Sequence, residues 1–167
     1  MALTPKGCGF LWAAPERQPD PHPVTLSHGL GSGFLAEFDW TGTRDPSAWL
    51  TVDTAVTFHE RLGGPDLRAR NATLAAEATA LLARYLKTNV GASGAFAGAM
   101  GVVRLPVSGP ATPERARAIR ERLLDARTDA PVLALEGALW LRLSAAAYNE
   151  RADYERLADI VAVALRE

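Results

Sequence analysis

Cysteine is almost missing from this chain: Cys8 stands alone among 167 residues. One thiol excludes a disulfide framework and any Cys-rich zinc or iron–sulfur site, and it fits a reducing compartment. Neither sign of charge is in excess, since 18 Lys+Arg face 19 Asp+Glu and leave a net charge of −1. That balance offers no basic footprint for nucleic acid and no polybasic surface for a membrane. Long apolar runs are lacking too. Met1 to Trp12 carry a single lysine and no sustained apolar stretch, so they do not read as a signal peptide. The best spanning candidate, Ala72 to Leu86, is interrupted by Glu77 and Arg84. It falls short of the ~20 uninterrupted apolar residues a membrane helix needs and reads as a soluble amphipathic helix. Histidine is sparse, and His22, His28 and His59 include no i, i+4 pair, so no metal site is indicated. His59, beside Glu60, reads as a surface residue. What remains is an ordinary globular composition, 48% hydrophobic and 22% charged, in a chain long enough to bury a core. The expectation is a soluble, cytoplasmic protein.

Proline and glycine divide the chain. Gly9-Phe10-Leu11-Trp12-Ala13-Ala14, entered through Thr4-Pro5-Lys6-Gly7 and closed by Pro15, reads as a strand. Prolines 19, 21 and 23 hold an extended connection to a second short apolar stretch, Val24 to Leu26. Gly29-Leu30-Gly31-Ser32-Gly33 is then either a flexible loop or a backbone that something approaches closely. Asp45-Pro46 reads as an N-cap with proline at the first helical position, opening a helix through Trp49, Val52 and Phe58 that Gly63-Gly64 stops. Pro65-Asp66 starts a long helix carrying Leu67, Leu74, Leu81, Leu82, Tyr85 and Leu86.

A glycine-rich passage follows, then a strand over Val102 to Val107. Thr112-Pro113 caps a helix with Ile119, Leu123 and Leu124 on one face. Strands Val132 to Leu135 and Ala138 to Ser144 flank a tight Glu136-Gly137 turn, and a last helix carries Tyr154, Leu157, Ile160, Val161 and Leu165. From residue 66 onward this is an α+β pattern, with helices on one face of a small, mainly antiparallel sheet. Residues 1–65 read as strands and a helix that belong to a larger neighbour.

Several groups carry candidate chemistry. The Gly29 stretch lacks the G-K-[ST] ending of a P-loop and does not match GxGxxG, so loop flexibility is the simpler reading. Cys8, between two glycines with no base nearby in sequence, reads as a buried, inert thiol. Trp40-Thr41-Gly42-Thr43-Arg44-Asp45-Pro46 gathers hydroxyls, a glycine and an arginine before a helix start. Such a place is receptive to phosphate or carboxylate, although Thr43 and Asp45 can equally serve as caps alone. Leu141-Arg142-Leu143-Ser144 puts an arginine between leucines on a strand, ahead of Tyr148-Asn149. A forked guanidinium suits the carboxylate of an amino acid, while a solvated edge-strand arginine, or one paired with Glu136, fits the same spacing.

These groups carry a family likeness. The chain resembles the C-terminal portion of class V aminotransferase-family enzymes, which are fold-type I and pyridoxal-phosphate-dependent. Within that group it looks most like the isopenicillin N epimerase-like members. Thr4-Pro5-Lys6-Gly7-Cys8-Gly9-Phe10-Leu11-Trp12 is similar to the strand after the cofactor-bearing lysine. Glu37-Phe38-Asp39-Trp40-Thr41-Gly42-Thr43-Arg44-Asp45-Pro46-Ser47-Ala48-Trp49 resembles the family's W-x-G-T-R-D segment. Arg142-Leu143-Ser144 with Tyr148-Asn149 and Asp153 resembles the R-x-S…YN…D signature of the small domain. The likeness runs through essentially the whole chain in order.

The resemblance implies a fold-type I C-terminal small domain at 66–167, with 1–65 left from the large cofactor-binding domain and the interdomain helix. It implies that Gly42 and Thr43 reach across a homodimer to the phosphate of the partner's pyridoxal 5'-phosphate. It implies that Arg142 holds the substrate's α-carboxylate, and it leaves Asn149 as a cap of the last helix. Lys6 sits in the Pro-Lys-Gly turn and does not match the Schiff-base lysine, which the family places just upstream of that turn. No catalytic residue is therefore assigned, and the chain alone is expected to be inactive. The parent reaction would be epimerisation, transamination or lyase chemistry on an amino acid. Desulfuration is disfavoured, because the group's desulfurases use a small-domain cysteine and Cys8 lies in the opening segment. The competing reading is a non-catalytic α+β module that binds a partner through exposed apolar surface.

Overall fold

A computed structural model describes residues 4–40, 42–91 and 98–166. Thr41 and most of the expected glycine-rich passage, residues 92–97, lie outside the described residues. The chain forms two compact units, Met1–Arg61 and Leu62–Glu167.

In the first unit a 3-10 turn, Pro15–Arg17, precedes helices α1 (Phe34–Asp39), α2 (Ser47–Leu50) and α3 (Val52–Arg61). Gly9–Ala14 and Val24–Leu26 form no strand. A strand is defined by its ladder, and among the described residues neither stretch pairs in one; Phe10 is 96% exposed. Helix α1 had no sequence expectation. Glycine explains how it is held: a Cβ on Gly29 would overlap the Ala36 carbonyl of α1, so the loop lies directly on that helix. Of the two readings left open for this stretch, close approach holds at Gly29 in place of the simpler flexible loop, and what approaches is the chain itself. The expected single helix after Asp45 is broken at Thr51, whose hydroxyl donates to the Ala48 carbonyl at 2.8 Å.

The second unit follows the expected order. Helix α4 (Gly64–Tyr85) begins after Gly63, whose φ of 117° only glycine adopts freely, with Pro65 in its first turn. Strands β1 (Met100–Arg104), β2 (Val132–Leu135) and β3 (Ala138–Ser144) make an antiparallel sheet in the order β1-β3-β2. The first strand is two residues early and ends sooner than expected, its outer edge met by Val90 across from Val103. Helix α5 (Pro113–Asp125) starts as expected, with Thr112 Oγ1 accepting from the Arg115 amide at 3.3 Å. Glu136 and Gly137, at φ 49° and 70°, form the hairpin turn between β2 and β3.

Helices α4, α5 and α6 (Arg151–Ala164) cover one face of this sheet. Leu139, Leu141 and Leu143 of the central strand point into that core beside Leu82, Leu123 and Val161. Fully burying one such leucine stabilises the fold by about 1.5–3 kcal/mol. The inward stripe of α4 is mostly small, Ala75, Ala78 and Ala83 about Leu82, and Tyr85 lies half in solvent. Small residues let α4 approach the sheet closely. Leu124, expected on the core face of α5, is 45% exposed, one helical step past the Ile119–Leu123 stripe. Among the described residues no helix is long and apolar enough to cross a membrane.

Candidate functional site

The alternation along β3 decides where the arginine goes. Leu141 and Leu143 face the helices, so Trp140, Arg142 and Ser144 face the other side of the sheet. β3 is the central strand, so Arg142 is not an edge-strand residue. Its backbone pairs with Val102 on one side, and its amide donates to the Pro131 carbonyl at 2.9 Å on the other. No described carboxylate pairs with its guanidinium, and the Glu136 pairing considered from sequence does not form.

Beside Arg142 lies a cleft of about 290 Å³ whose lining includes Ser144, Tyr148, Asn149, Asp153 and Tyr154. All the small-domain signature residues thus share one concavity. The turn after β3 is built by side chains reaching back onto backbone. Asn149 Oδ1 accepts from the Ala146 amide at 3.0 Å, and Asn149 Nδ2 donates to Asp153 at 3.3 Å. Asp153 Oδ2 accepts from the Glu150 amide at 3.0 Å and closes a capping box with Glu150, the true N-cap of α6. Asn149 therefore braces the turn and does not cap the helix. The Glu150 amide, helped by Asn149, holds the Asp153 carboxyl below the usual aspartate range. Tyr154 Oη donates to the Ser144 carbonyl at 2.8 Å. Burial is the main cause that pushes the Tyr154 phenol upward, so it stays protonated as the donor.

Two further braces have no local sequence signal. Arg70 of α4 donates to the Asn149 carbonyl at 2.8 Å and the Ala146 carbonyl at 3.4 Å. In the first unit, Glu37 is buried, accepting from His22 Nδ1 at 2.8 Å and from the Gly31 amide at 3.1 Å. The His22 hydrogen bond is the main cause that holds the Glu37 carboxyl below its ordinary range.

The other sequence-selected residues are less assembled. Gly42, at φ 110°, and Thr43 are exposed ahead of α2. That helix has four residues, and Asp45 Oδ1 already accepts from the Ser47 amide at 2.9 Å. Ser47 is the main cause that holds the Asp45 carboxyl low. A single turn with its leading amide occupied is no phosphate cradle by itself. Cys8 is half-buried, with its Sγ 3.8 Å from the Pro5 carbonyl. Around Gly42 and Thr43, then, the described residues do not by themselves assemble a cradle for the phosphate of pyridoxal phosphate.

No protein-family model matches the chain. It is 32% identical over 175 residues to isopenicillin N epimerase of Amycolatopsis lactamdurans, across 94% of this chain and 43% of that protein. It is 29% identical over 161 residues to L-cysteine desulfhydrase of Arabidopsis thaliana, across 85% of this chain and 36% of the other. Serine palmitoyltransferase of Sphingomonas wittichii has a similar fold, with a TM-score of 0.57 and 20% identity over 83% of this chain and 33% of its own. The chain spans less than half the length of the curated relatives it matches.

Proposed function

We propose, for a chain that is a relative of isopenicillin N epimerase and shares the fold-type I architecture of pyridoxal-phosphate enzymes, that its role is to hold an amino acid by the carboxylate. Arg142 is the residue that does so. The observation that carries this reading is its guanidinium, without a described carboxylate partner, beside a cleft that gathers Tyr148, Asn149 and Asp153. A planar fork binds a carboxylate through two parallel hydrogen bonds, which fixes orientation as well as charge. The Ala145–Glu150 turn, held by hydrogen bonds at Ala146 and Asn149, fixes one side of that cleft.

The segment 66–167 is read as the small domain and 1–65 as part of the large domain. Gly42 and Thr43 are assigned to the phosphate of pyridoxal 5'-phosphate held by a partner subunit, on the family likeness of their segment. Bound pyridoxal phosphate supplies the electron sink for breaking a bond at the α-carbon. The parent activity is read as epimerisation, transamination or lyase chemistry on an amino acid, the last supported by the desulfhydrase relative. The cytoplasm is the expected compartment.

This chain has two lysines: Lys6, in the Pro-Lys-Gly turn, does not match the family's Schiff-base lysine, and Lys87, in the same unit as Arg142, does not line its cleft. Turnover by this chain alone is therefore not expected. The test is incubation with pyridoxal phosphate, borohydride reduction and peptide mapping by mass. The expected result is scattered, substoichiometric labelling and no turnover. A stoichiometric adduct at one lysine, accompanied by turnover of an amino acid, would overturn the reading.

A further inference from the structure

The turn that lines the Arg142 cleft is held from outside its own neighbourhood. Arg70 stands on α4, and its two carbonyl partners lie 76 and 79 residues further along the chain. Its Nη2 donates to Asn149 at 2.8 Å and its Nη1 to Ala146 at 3.4 Å, so one guanidinium spans the beginning and the end of the turn. Within that span, Asn149 Oδ1 accepts from the Ala146 amide. Tyr148, carried between these anchors, is 82% exposed and lines the same cleft as Arg142. A solvent-exposed ring on so heavily braced a backbone is positioned without being buried.

We propose that Arg70 is a positioning residue for the Arg142 cleft, fixing the Ala146–Asn149 turn so that Tyr148 stands at the rim where a carboxylate ligand enters. The inference rests on the reading of Arg142 as the carboxylate group. Arg70 does not itself line the cleft. Its contribution is that the turn is ordered before the ligand arrives, so binding does not have to order it. The forked geometry is needed, because a lysine at this position can serve one carbonyl well but not both.

The experiment uses the full chain and two readouts. The first is amide hydrogen exchange at Ala146 and Glu150. Arg70→Ala is expected to speed it on the order of tenfold while α5 amides are unchanged. Unchanged exchange overturns the proposal whatever the ligand does. The second is titration with L-alanine. Arg70→Ala is expected to weaken binding roughly three- to tenfold and Arg70→Lys to restore part of the loss. Arg142→Met is expected to abolish binding and leave the exchange rates alone. If Arg142→Met abolishes binding and Arg70→Ala binds like the parent, the Arg70 proposal fails while the carboxylate reading stands. If Arg142→Met binds as well as the parent, the carboxylate reading fails and takes the Arg70 proposal with it.

Discussion

Gly101 of β1 lies directly against Thr79 of α4: a Cβ on Gly101 would overlap Thr79 Oγ1. Thr79 is buried and its hydroxyl is committed to the Ala75 carbonyl at 2.6 Å, so it cannot turn aside without leaving a donor unpaired. The missing side chain is what lets the longest helix rest on the sheet that carries Arg142.

Gly101→Ala is accordingly expected to destabilise the second unit by about 1–3 kcal/mol through overpacking. Gly98→Ala, where a Cβ would meet nothing within 4 Å among the described residues, is the control and is expected to stay near the parent. Urea unfolding followed by far-ultraviolet circular dichroism checks the pair. Equal midpoints for the two variants would contradict the packing described.

Leu141 is fully buried on the same strand as Arg142, one residue before it. Leu141→Ala is expected to cost about 2–5 kcal/mol, a transfer loss plus a cavity. Leu133 on β2, 45% exposed, is expected to lose far less on the same substitution. Comparing the two midpoints at one denaturant slope tests which face of the sheet is the core.

Much of the second unit was legible because its signals are local. Thr112-Pro113 supplies a cap hydroxyl and a fixed φ, and Glu136-Gly137 supplies two residues that accept positive φ. The placement of Arg142 between two leucines was legible, and alternation along β3 turns it away from the leucine face. What escaped depends on partners distant in sequence. Gly9–Ala14 has the composition of a strand, but a strand needs a second backbone, and composition does not supply one. Arg70 gives no hint of the carbonyls it serves. Glu37 carries no local signal of its burial, which comes from His22 and Gly31, 15 and 6 residues earlier in the chain. The cap of α6 was missed by one residue because Glu150 is an uncommon N-cap, recognisable only once Asp153 completes the box.

The Glu37 contacts predict a pH dependence with a definite sign. The His22 hydrogen bond, aided by the Gly31 amide, lowers the folded carboxyl from its ordinary value of 4.5. A carboxyl with a depressed folded value stabilises the fold fully above that ordinary value, and the contribution is lost as pH falls through the folded one. Protection of the Gly31 amide, corrected for intrinsic exchange, should therefore hold above pH 4.5 and decline below it. Glu37→Gln should remove the decline and lower protection throughout. Protection that is flat with pH in the parent chain would contradict the bonding described.

Nitrogen-edited NMR of the Arg142 side-chain Nε–H reads out whether this guanidinium receives a carboxylate. Titration with L-alanine is expected to shift that signal together with the Ser144, Tyr148 and Asn149 amides that share its cleft. L-alaninamide, which keeps the amine and lacks the carboxylate, is expected to shift none of them. Equal shifts from both ligands, or an Arg142 signal that L-alanine leaves in place, would contradict the account.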